Sequence, residues 1–482
     1  MNIKKQDALF TEVLVEDDSI KDRVPPSQNP KINIKRIKRT WLQHTILFTR
    51  NVLSIVLSAP ILIILLSIAT FKTAKTHLID TYYRRKVRPQ HAKEQFVPDE
   101  LLTQDETYYA SRWGYTSQLH KVVTEDGYIL TMYRIFKKGS PAGNPPVLIG
   151  HGLFQCSGAF VLNEQDSLAF HLVNQGYDVW VGNNRSIASL DHLSLSHEDP
   201  EYWNWGLKEL GMYDFPAMVD YVCSATGFSK IAYIGHSQGN AQAFIGLSLL
   251  PEIGDKLSCF VALAPAVFSG NLVNTYPICL LINLNDWVYS LMFGSGSFLP
   301  IMSLAQSIIE PKLFCFLAYS MFSYLFAWWD SHWLRTRKAK YFQFTPRPVS
   351  SKLIQDWIMG WGRKGVCLYI ADQNNHHGQQ KSQHKVPLVV FYGTHDYLVN
   401  GERFVRTFTG YETHGMSPAE LAKQSSNHES KELNKNTLFP MLELSHVERL
   451  KGYEHMDTIW AHDNHKTTYP IILSNLIKAK WD

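Results

Sequence analysis

Cysteine is scarce in this sequence, and its spacing matches no metal site. The 482 residues include six cysteines, with no C-x-x-C pair and no Cys/His spacing typical of zinc ligands. This excludes a zinc domain as the organising unit. Scattered buried thiols suit a domain that faces the cytosol, although the sequence leaves one or two disulfides open. The cysteines are Cys156, Cys223, Cys259, Cys279, Cys315 and Cys367.

The sequence also has little excess of charge of either sign. The formal net charge is +4, and charged residues make up 19 % of the chain. A general nucleic-acid-binding protein needs a broad basic face, so nucleic acid is not an expected partner. The hydrophobic fraction of 45 % is typical of a globular protein. Because 482 residues exceed the size at which one core stops growing, we expect more than one folding unit.

One long uncharged run stands near the N-terminus. Residues 1–45 form a polar, basic segment without an apolar period, which predicts a flexible tail. The apolar run from Asn51 to Phe71 follows, inside a membrane anchor that we predict over residues 46–75. At about 1.5 Å per helical residue this run is long enough to cross a bilayer. About 45 residues precede it and no convincing cleavage site follows, so we do not interpret it as a cleaved signal peptide.

The topology of the anchor stays open at the sequence level. Basic residues stand on both sides of the run, so the positive-inside rule selects no orientation. Pro60 lies near the middle of the run and removes a helix donor. Three alternatives remain. The first is a single transmembrane helix, and the second is a bent hairpin with both flanks on the cytosolic leaflet, which would suit a lipid droplet. A buried helix of a soluble core is the third.

The rest of the chain alternates between strands and helices. Leu119–Thr124 and Tyr128–Arg134 flank Asp126-Gly127, which predicts a hairpin. Helices are predicted between the later strands, among them Met212–Ala225 and Asn240–Leu250, so we expect an α/β fold with a mostly parallel sheet covered on both faces. The later predicted strands are Val147–Gly150, Asp178–Gly182, Ile231–Ile234, Phe260–Ala264 and Pro387–Tyr392.

A G-x-S-x-G motif follows the strand Ile231–Ile234 directly. The motif runs from Gly235 to Gly239, with Ser237 at its centre and a predicted helix after it. A serine in this context sits on a sharp, strained turn, and the two glycines relieve the crowding around it. We therefore predict that Ser237 is a nucleophile, rather than part of an ordinary tight turn.

A serine nucleophile needs a base and an orienting acid, which follow it in the order acid, histidine. Asp396 follows the strand Pro387–Tyr392 and so belongs at the carboxyl edge of the sheet. His455 in Gly452–Asp457 is the predicted base. His462 and His465 are its nearest rivals, and His446 is a weaker one.

An oxyanion hole needs two N–H donors aimed at the developing charge. The residue after the nucleophile, Gln238, supplies one of them. The loop His151-Gly152-Leu153 follows a buried strand, and the N–H of Leu153 is the natural second donor. His151 is expected to support this loop and not to act as a base.

Several separate motifs together resemble one known family, the acid lipases and steryl ester hydrolases, and within it the membrane-anchored fungal steryl ester hydrolases. The resemblance covers about residues 100–482. It implies an α/β-hydrolase fold with an inserted helical cap or lid and an N-terminal anchor. The matching segments are Thr124–Leu130, His151–Leu153, Gly182–Ser186, Tyr202–Trp205, Glu209–Ala217, Gly235–Gly239, Asp396 and Tyr453–Asp457.

The sequence departs from this family at two points. Cys156 stands where the family has a small polar residue, and 59 positions separate Asp396 from His455. The excess length is polar and predicts an inserted loop around Gly415–Asn436.

A cap is predicted over residues 266–383, between two parts of the hydrolase core at 76–265 and 384–482. It contains the uncharged, aromatic stretch Leu313–Trp329. This stretch is compatible with a second membrane span, with core packing, or with an apolar lid over a substrate tunnel. A span would divide the hydrolase domain, so we favour the lid.

The combined pattern predicts hydrolysis of apolar lipid esters through an acyl-enzyme, without metal or cofactor. The resemblance favours steryl esters; a triacylglycerol lipase, an acyltransferase and a non-catalytic membrane scaffold are the alternatives. The expected partners are the ester and a membrane or lipid-droplet surface, at the lipid droplet, the endoplasmic reticulum or the plasma membrane. The oligomeric state stays open.

Overall fold

The computed structural model describes residues 40–83, 100–137, 144–187, 191–294, 296–360, 385–409 and 439–481. The predicted tail lies outside these ranges except for its last few residues. The predicted loop around Gly415–Asn436 and Cys367 also lie outside them. The five cysteines that the structure describes are free thiols.

The centre of the fold is an eight-stranded sheet with the order β1-β2-β4-β3-β5-β6-β7-β8. Strands β1 and β2 form an antiparallel hairpin, β2 pairs antiparallel with β4, and all later pairs are parallel. The strands are β1 (Thr116–Val123), β2 (Ile129–Phe136), β3 (Pro146–Gly150), β4 (Asp178–Gly182), β5 (Ile231–His236), β6 (Leu257–Leu263), β7 (Val386–Gly393) and β8 (Leu442–Leu450).

The central strands are buried on both faces. Successive residues of β3, β4, β5 and β6 are buried throughout, which explains why each strand is an apolar run and not an alternating one. The helices are α1 (Trp41–Tyr83), α2 (Glu106–Arg112), α3 (Leu168–Asn174), α4 (Leu207–Glu209), α5 (Phe215–Thr226), α6 (Gln238–Leu249), α7 (Ile278–Ile282), α8 (Asp286–Phe293), α9 (Ile301–Ile308), α10 (Pro311–Phe326), α11 (Arg335–Tyr341), α12 (Ser351–Gly360), α13 (Gly401–Thr409), α14 (Asp457–Trp460) and α15 (Thr468–Leu476).

The α/β-hydrolase prediction is confirmed, with differences at element boundaries. β1 and β2 pair as the Asp126-Gly127 signal predicts, and Gly127 takes the left-handed φ of 95° that this turn requires. Strand β6 starts three residues before the predicted Phe260, at Leu257. The predicted helix Met212–Ala225 begins as a π-helical turn over Leu210–Asp214 and becomes α-helical at Phe215. Strand β8 was not predicted.

Helices α7–α12 lie between β6 and β7 in the chain, where the cap is predicted. The N-terminal helix α1 is continuous from Trp41 to Tyr83 and passes through Pro60, so the hairpin alternative has no reversal at this proline. Its segment Ile55–Thr76 has a mean hydropathy of 2.2 and is only 11 % buried, which makes it long and apolar enough to span a membrane.

Candidate active site

The turn between β5 and α6 holds Ser237 in a strained conformation. Its φ of 52° and ψ of −115° are rarely adopted by non-glycine residues. The carbonyl oxygen of Leu263, at the end of β6, fixes this turn by accepting two hydrogen bonds. Ser237 N–H donates over 3.0 Å and Asn240 Nδ2 donates over 2.8 Å. The strain is therefore supported by contacts to the neighbouring strand.

Both motif glycines sit where a side chain has no room. A Cβ on Gly239 would lie 2.6 Å from the carbonyl oxygen of Gly150, which belongs to the backbone of β3. A Cβ on Gly235 would collide with the side-chain oxygen of Asn240. The absence of a side chain at Gly239 lets the start of α6 approach the end of β3, which brings Ser237 next to the loop that follows β3.

One chain of hydrogen bonds joins Ser237, His455 and Asp396. His455 Nε2 lies 2.8 Å from Ser237 Oγ, and His455 Nδ1 lies 2.8 Å from Asp396 Oδ2. The side chains of His455 and Asp396 are 3 % and 2 % exposed. The other carboxylate oxygen of Asp396 accepts the backbone N–H groups of Leu398 and Val399, each at 3.0 Å. These two bonds orient the carboxylate toward the imidazole.

The rival histidines make contacts elsewhere. His446 lies on β8 beside Glu448, and His465 lies 4.0 Å from Asp166. His462 Nδ1 donates to the carbonyl oxygen of His332 at 2.9 Å. Among the four candidate histidines, His455 is the one that the structure places at the Ser237 hydroxyl.

The two predicted oxyanion donors flank the serine. Gln238 is the first residue of α6, so its N–H has no acceptor within the helix. Leu153 follows β3 and lines the same cavity as Ser237. Its N–H has no acceptor among the residues that the structure describes. Two free N–H groups beside a serine hydroxyl can stabilise an oxyanion.

The loop that carries Leu153 is held by two side chains. His151 Nδ1 donates to the carbonyl oxygen of Gly152 at 2.8 Å, and its Nε2 accepts the N–H of Asn184 at 3.2 Å. Burial lowers the pKa of His151 to about 4, so the ring is neutral and can do both. The side-chain oxygen of Gln155 accepts the N–H of Gly152 at 2.9 Å. His151 thus supports the loop, as its position after β3 suggested.

His236 connects this loop to the segment that carries His455. Its Nδ1 lies 3.0 Å from Oε1 of Gln155, and its Nε2 lies 3.2 Å from the carbonyl oxygen of His455. Burial, followed by the neighbouring His455, lowers the pKa of His236 well below 6.5, so the ring is neutral. Both partners are acceptors, so the neutral ring donates its single N–H to one of them and only contacts the other. The residue before the nucleophile thus lies between the predicted oxyanion loop and the predicted base.

The cavity above Ser237 is small and mostly apolar, with five Phe and Trp side chains in its walls. Its volume is about 30 Å³, which holds about one water molecule. Pockets that bury a drug-sized ligand measure about 300–1,000 Å³. A bulky substrate therefore enters only after the walls move apart. The walls are Leu153, Phe154, Gln155, His236, Ser237, Ala266, Phe322, Phe326, Trp328, Trp357, Leu398, Val399, His455 and Met456.

Cap residues form the roof of this cavity. The ring of Trp328 stacks on that of Phe322 at a centroid distance of 5.0 Å, and it lies nearly parallel to the His455 ring at 6.4 Å. On α12, Trp357 Nε1 donates to the side-chain oxygen of Gln238 at 2.9 Å. The cap thus contacts both the predicted base and the residue after the nucleophile.

Two buried carboxyl groups beside His455 hold the cap segment in place. Glu454 Oε2 accepts the N–H of Trp329 at 2.5 Å, and Asp457 Oδ1 accepts Nε1 of Trp333 at 2.9 Å. Asp457 Oδ2 also accepts the N–H of Glu454 at 2.7 Å. Burial, with the charge of Asp457, raises the pKa of Glu454 to about 10, and burial raises the pKa of Asp457 to about 8. Glu454 has the higher pKa of the two and therefore keeps its proton to the higher pH.

Some of these contacts escaped the sequence analysis. Trp357 carries no local motif, and its bond to Gln238 joins residues 119 positions apart. Trp328 and Glu454 lie in segments that the sequence analysis marked, but the bond from Trp329 to Glu454 spans 125 positions and no local pattern predicts it. His236 and Gln155 had a usable signal, since they belong to or follow the two loops that the motifs marked.

Family comparisons match the chain twice. A model described as a partial alpha/beta-hydrolase lipase region matches residues 107–164, and one described as the alpha/beta hydrolase fold matches residues 145–280.

Two curated relatives and one solved structure illustrate the similarity. Sterol esterase 2 of Saccharomyces cerevisiae is 30 % identical over 410 residues, which is 76 % of this chain and 70 % of that protein. Gastric triacylglycerol lipase of Bos taurus is 36 % identical over 205 residues, 41 % of this chain and 50 % of that protein. The crystal structure of the Bacillus subtilis carboxylesterase CesB has 13 % identity and a TM-score of 0.39, covering 77 % of this chain and 96 % of its own.

Proposed function

Because the chain belongs to the α/β-hydrolase lipase family and is a carboxylic ester hydrolase, we propose that it cleaves steryl esters into a sterol and a fatty acid. In this proposal Ser237 is the nucleophile, His455 the general base and Asp396 the orienting acid. The single observation that supports these roles is the unbroken hydrogen-bonded chain through the three side chains.

Acylation begins when Ser237 Oγ attacks the ester carbonyl carbon. His455 Nε2 takes the hydroxyl proton as the new C–O bond forms, and Asp396 stabilises the imidazolium. The N–H groups of Leu153 and Gln238 hold the tetrahedral oxyanion. The sterol oxygen then leaves with the proton from His455 Nε2, and the acyl group remains on Ser237.

Deacylation repeats the same steps with water. His455 Nε2 removes a proton from the attacking water, and the resulting tetrahedral intermediate is held by the same two N–H groups. The bond to Ser237 Oγ breaks as His455 returns the proton, and the fatty acid is released. Every proton in the cycle passes through one imidazole nitrogen.

The choice of steryl esters rests on two observations. The curated relative that covers the larger share of this chain, of the two described above, is a sterol esterase. Four of the five cavity residues that the cap contributes are aromatic. Broad, rigid aromatic walls suit a flat, apolar ring system. Triacylglycerol is the second candidate, because the gastric lipase has the higher identity over the shorter segment.

We also propose that α1 anchors the enzyme to a membrane or lipid-droplet surface. Its segment Ile55–Thr76 is apolar and largely uncovered by protein. An enzyme whose substrate resides among lipids gains access to it by being held at that surface. The lipid droplet, the endoplasmic reticulum and the plasma membrane are the candidate locations.

Covalent labelling tests the proposed site. A fluorophosphonate should form a single adduct at Ser237, which Ser237→Ala abolishes and His455→Ala slows strongly. His462→Ala is the matched control and should label at the wild-type rate. Labelling that persists in Ser237→Ala would assign the nucleophile elsewhere.

A substrate assay tests the ester preference. The purified full chain should release fatty acid faster from steryl oleate than from trioleoylglycerol when both are presented in the same phospholipid particles. The opposite order of rates would identify the enzyme as a triacylglycerol lipase.

A further inference from the structure

Helix α1 has a covered side that faces the cap. Most of its described large apolar side chains are exposed, whereas three small residues, Ser58, Ala69 and Thr73, are buried. The helix packs against α10 and α8 of the cap. At about 1.5 Å per residue, the covered side from Ser58 to Thr73 extends roughly 22 Å along the axis, which is comparable with one leaflet of a bilayer. The anchor therefore contacts the cap along much of its apolar segment.

The cap next to α1 is almost free of charge. Residues 271–329 contain only three charged side chains, Asp286, Glu310 and Lys312. Over the whole chain, charged residues make up 19 %. A surface that faces water would have a charged fraction close to that average, whereas the charged fraction of this segment is much lower.

Large apolar side chains of this segment point away from the protein. Trp287 is 70 % exposed and Ile308 is 72 % exposed. Helix α9 has no buried residue, although half of its side chains are aliphatic. We define the cap apolar face as Leu280, Trp287, Leu304, Ile308, Leu313 and Phe316, which lie on α7, α8, α9 and α10 and are all exposed. An exposed apolar surface of this kind indicates an interaction site.

One contact relates the cavity to the end of the apolar run on α1. Lys72 is the first charged residue after the run, and its Nζ lies 5.1 Å from the ring centre of Tyr324 near the end of α10. In a membrane, a lysine at this position extends to the head-group level. Phe326, two residues after Tyr324, lines the cavity over Ser237. The end of α10 that closes the cavity therefore lies where the apolar part of α1 ends.

We infer that the cap apolar face is immersed in the same lipid leaflet as α1, so that esters pass from the leaflet to Ser237 along α10 without crossing water. The inference deepens the proposed function, on which its substrate depends. A phospholipid leaflet is the occupant that these observations favour, because α8 and α10, which carry part of the face, pack against the anchor. The face also carries Trp287, a residue type enriched at membrane interfaces.

Fluorescence quenching by lipid tests the position of the face directly. The full-length chain and its Trp287→Phe variant are reconstituted into phosphatidylcholine vesicles that contain phosphatidylcholine brominated in the acyl chains. The difference between the two emission spectra isolates Trp287. We expect this component to be quenched by the brominated lipid and protected from acrylamide in the water phase.

Two outcomes would overturn the inference. Quenching of the Trp287 component by acrylamide, without quenching by brominated lipid, would place the face in water. Protection from both quenchers would mean that protein, such as a second copy of the chain, covers it.

A kinetic test measures ester hydrolysis after charged side chains are introduced on the cap apolar face. The double variant Trp287→Glu, Ile308→Glu should hydrolyse esters carried in phospholipid particles about tenfold more slowly, because carboxylates resist entry into hydrocarbon. Ile477→Glu, on an equally exposed apolar residue after α15, is the matched control and should match wild type. An equal rate for the double variant and wild type would contradict the inference.

Fluorophosphonate labelling of Ser237 in the same samples separates the two proposals. Normal labelling with a slow lipid-borne reaction supports the immersed face. Absent labelling in the wild-type chain defeats the proposed function, while the quenching result remains valid by itself.

Discussion

Two tryptophans of the cap line the same cavity but differ in one hydrogen bond. Trp357 Nε1 donates to the side chain of Gln238, whose backbone N–H is a proposed oxyanion donor. The indole nitrogen of Trp328 has no acceptor in the part of the chain that the structure describes. Trp328 therefore contributes only its ring to the wall, whereas Trp357 also fixes the position of Gln238.

Trp357→Phe should lower kcat about tenfold with little change in KM. The change leaves the buried oxygen of Gln238 without its donor, and an unsatisfied buried acceptor costs about 1–3 kcal/mol. Steady-state kinetics on a water-soluble ester provide the measurement. Trp328→Phe removes a similar volume without removing a bond and serves as the control, with kcat near wild type. Equal losses of kcat in both variants would refute the positioning role.

Asp396→Asn should lower kcat about ten-thousandfold while substrate binding persists. The amide cannot hold the imidazole in the tautomer that leaves Nε2 free to accept the serine proton, and the imidazolium loses its counter-charge. Single-turnover kinetics would measure the loss. Asp457→Asn is the comparison, because Asp457 contacts Glu454 and Trp333, and it should retain far more activity. A greater loss in Asp457→Asn than in Asp396→Asn would reassign the orienting acid.

At the scale of elements, the position of Ser237 depends on the close approach of α6 to β3. A Cβ on Gly239 would have no room against Gly150 and His151, because the nearest atoms of both residues belong to the main chain. Displacement of α6 would move the Gln238 N–H and the Ser237 hydroxyl together. The nucleophile and one oxyanion donor are thus controlled by one helix-to-strand contact.

Gly239→Ala should abolish fluorophosphonate labelling and lower the melting temperature, because the added methyl group forces α6 away from β3. Gly296→Ala is a suitable control, since the nearest atom to an added Cβ there is 3.8 Å away. Labelling and thermal melts of both variants provide the test. Wild-type labelling of Gly239→Ala would show that the turn tolerates the displacement.

At the scale of the whole molecule, the cap is fastened to the segment that carries His455 by buried carboxyl groups. The pKa of Glu454 is raised from 4.5 to about 10 by burial and by the neighbouring Asp457. The folded chain therefore holds this proton more tightly than the unfolded chain. Its contribution to stability is complete below pH 4.5 and decreases as the pH rises toward 10.

Glu454→Gln should flatten the pH dependence of stability. The amide still accepts the N–H of Trp329 and has no proton to lose, whereas wild type loses up to about 1.4 kcal/mol per pH unit in this window. The melting temperature in detergent should fall more for wild type than for the variant when the pH is raised from about 6 to about 8.5. Glu443→Gln, an exposed position on β8, should behave like wild type. Parallel pH profiles for wild type and Glu454→Gln would exclude this role.

The sequence predicted the fold class, the family and the type of enzyme, and all three are confirmed. Buried parallel strands are apolar along their whole length, so β3 to β6 are visible as short hydrophobic runs. Strand β8 was missed because it is half exposed and carries His446, Glu448 and Arg449 among its residues. Such an edge strand has no distinctive local pattern.

The sequence by itself determined the local parts of the candidate site: a serine on a strand-to-helix turn, an acid after a strand, and a loop after β3. The roles of these residues stay predictions. Only the tertiary structure decided which histidine lies at Ser237, since these residues are 218 positions apart. It alone also brought Trp357 into the cavity wall and Glu454 against the backbone of Trp329. Local motifs reflect the backbone conformation of neighbouring residues, whereas contacts between distant segments depend on how the sheet, the cap and α1 pack together.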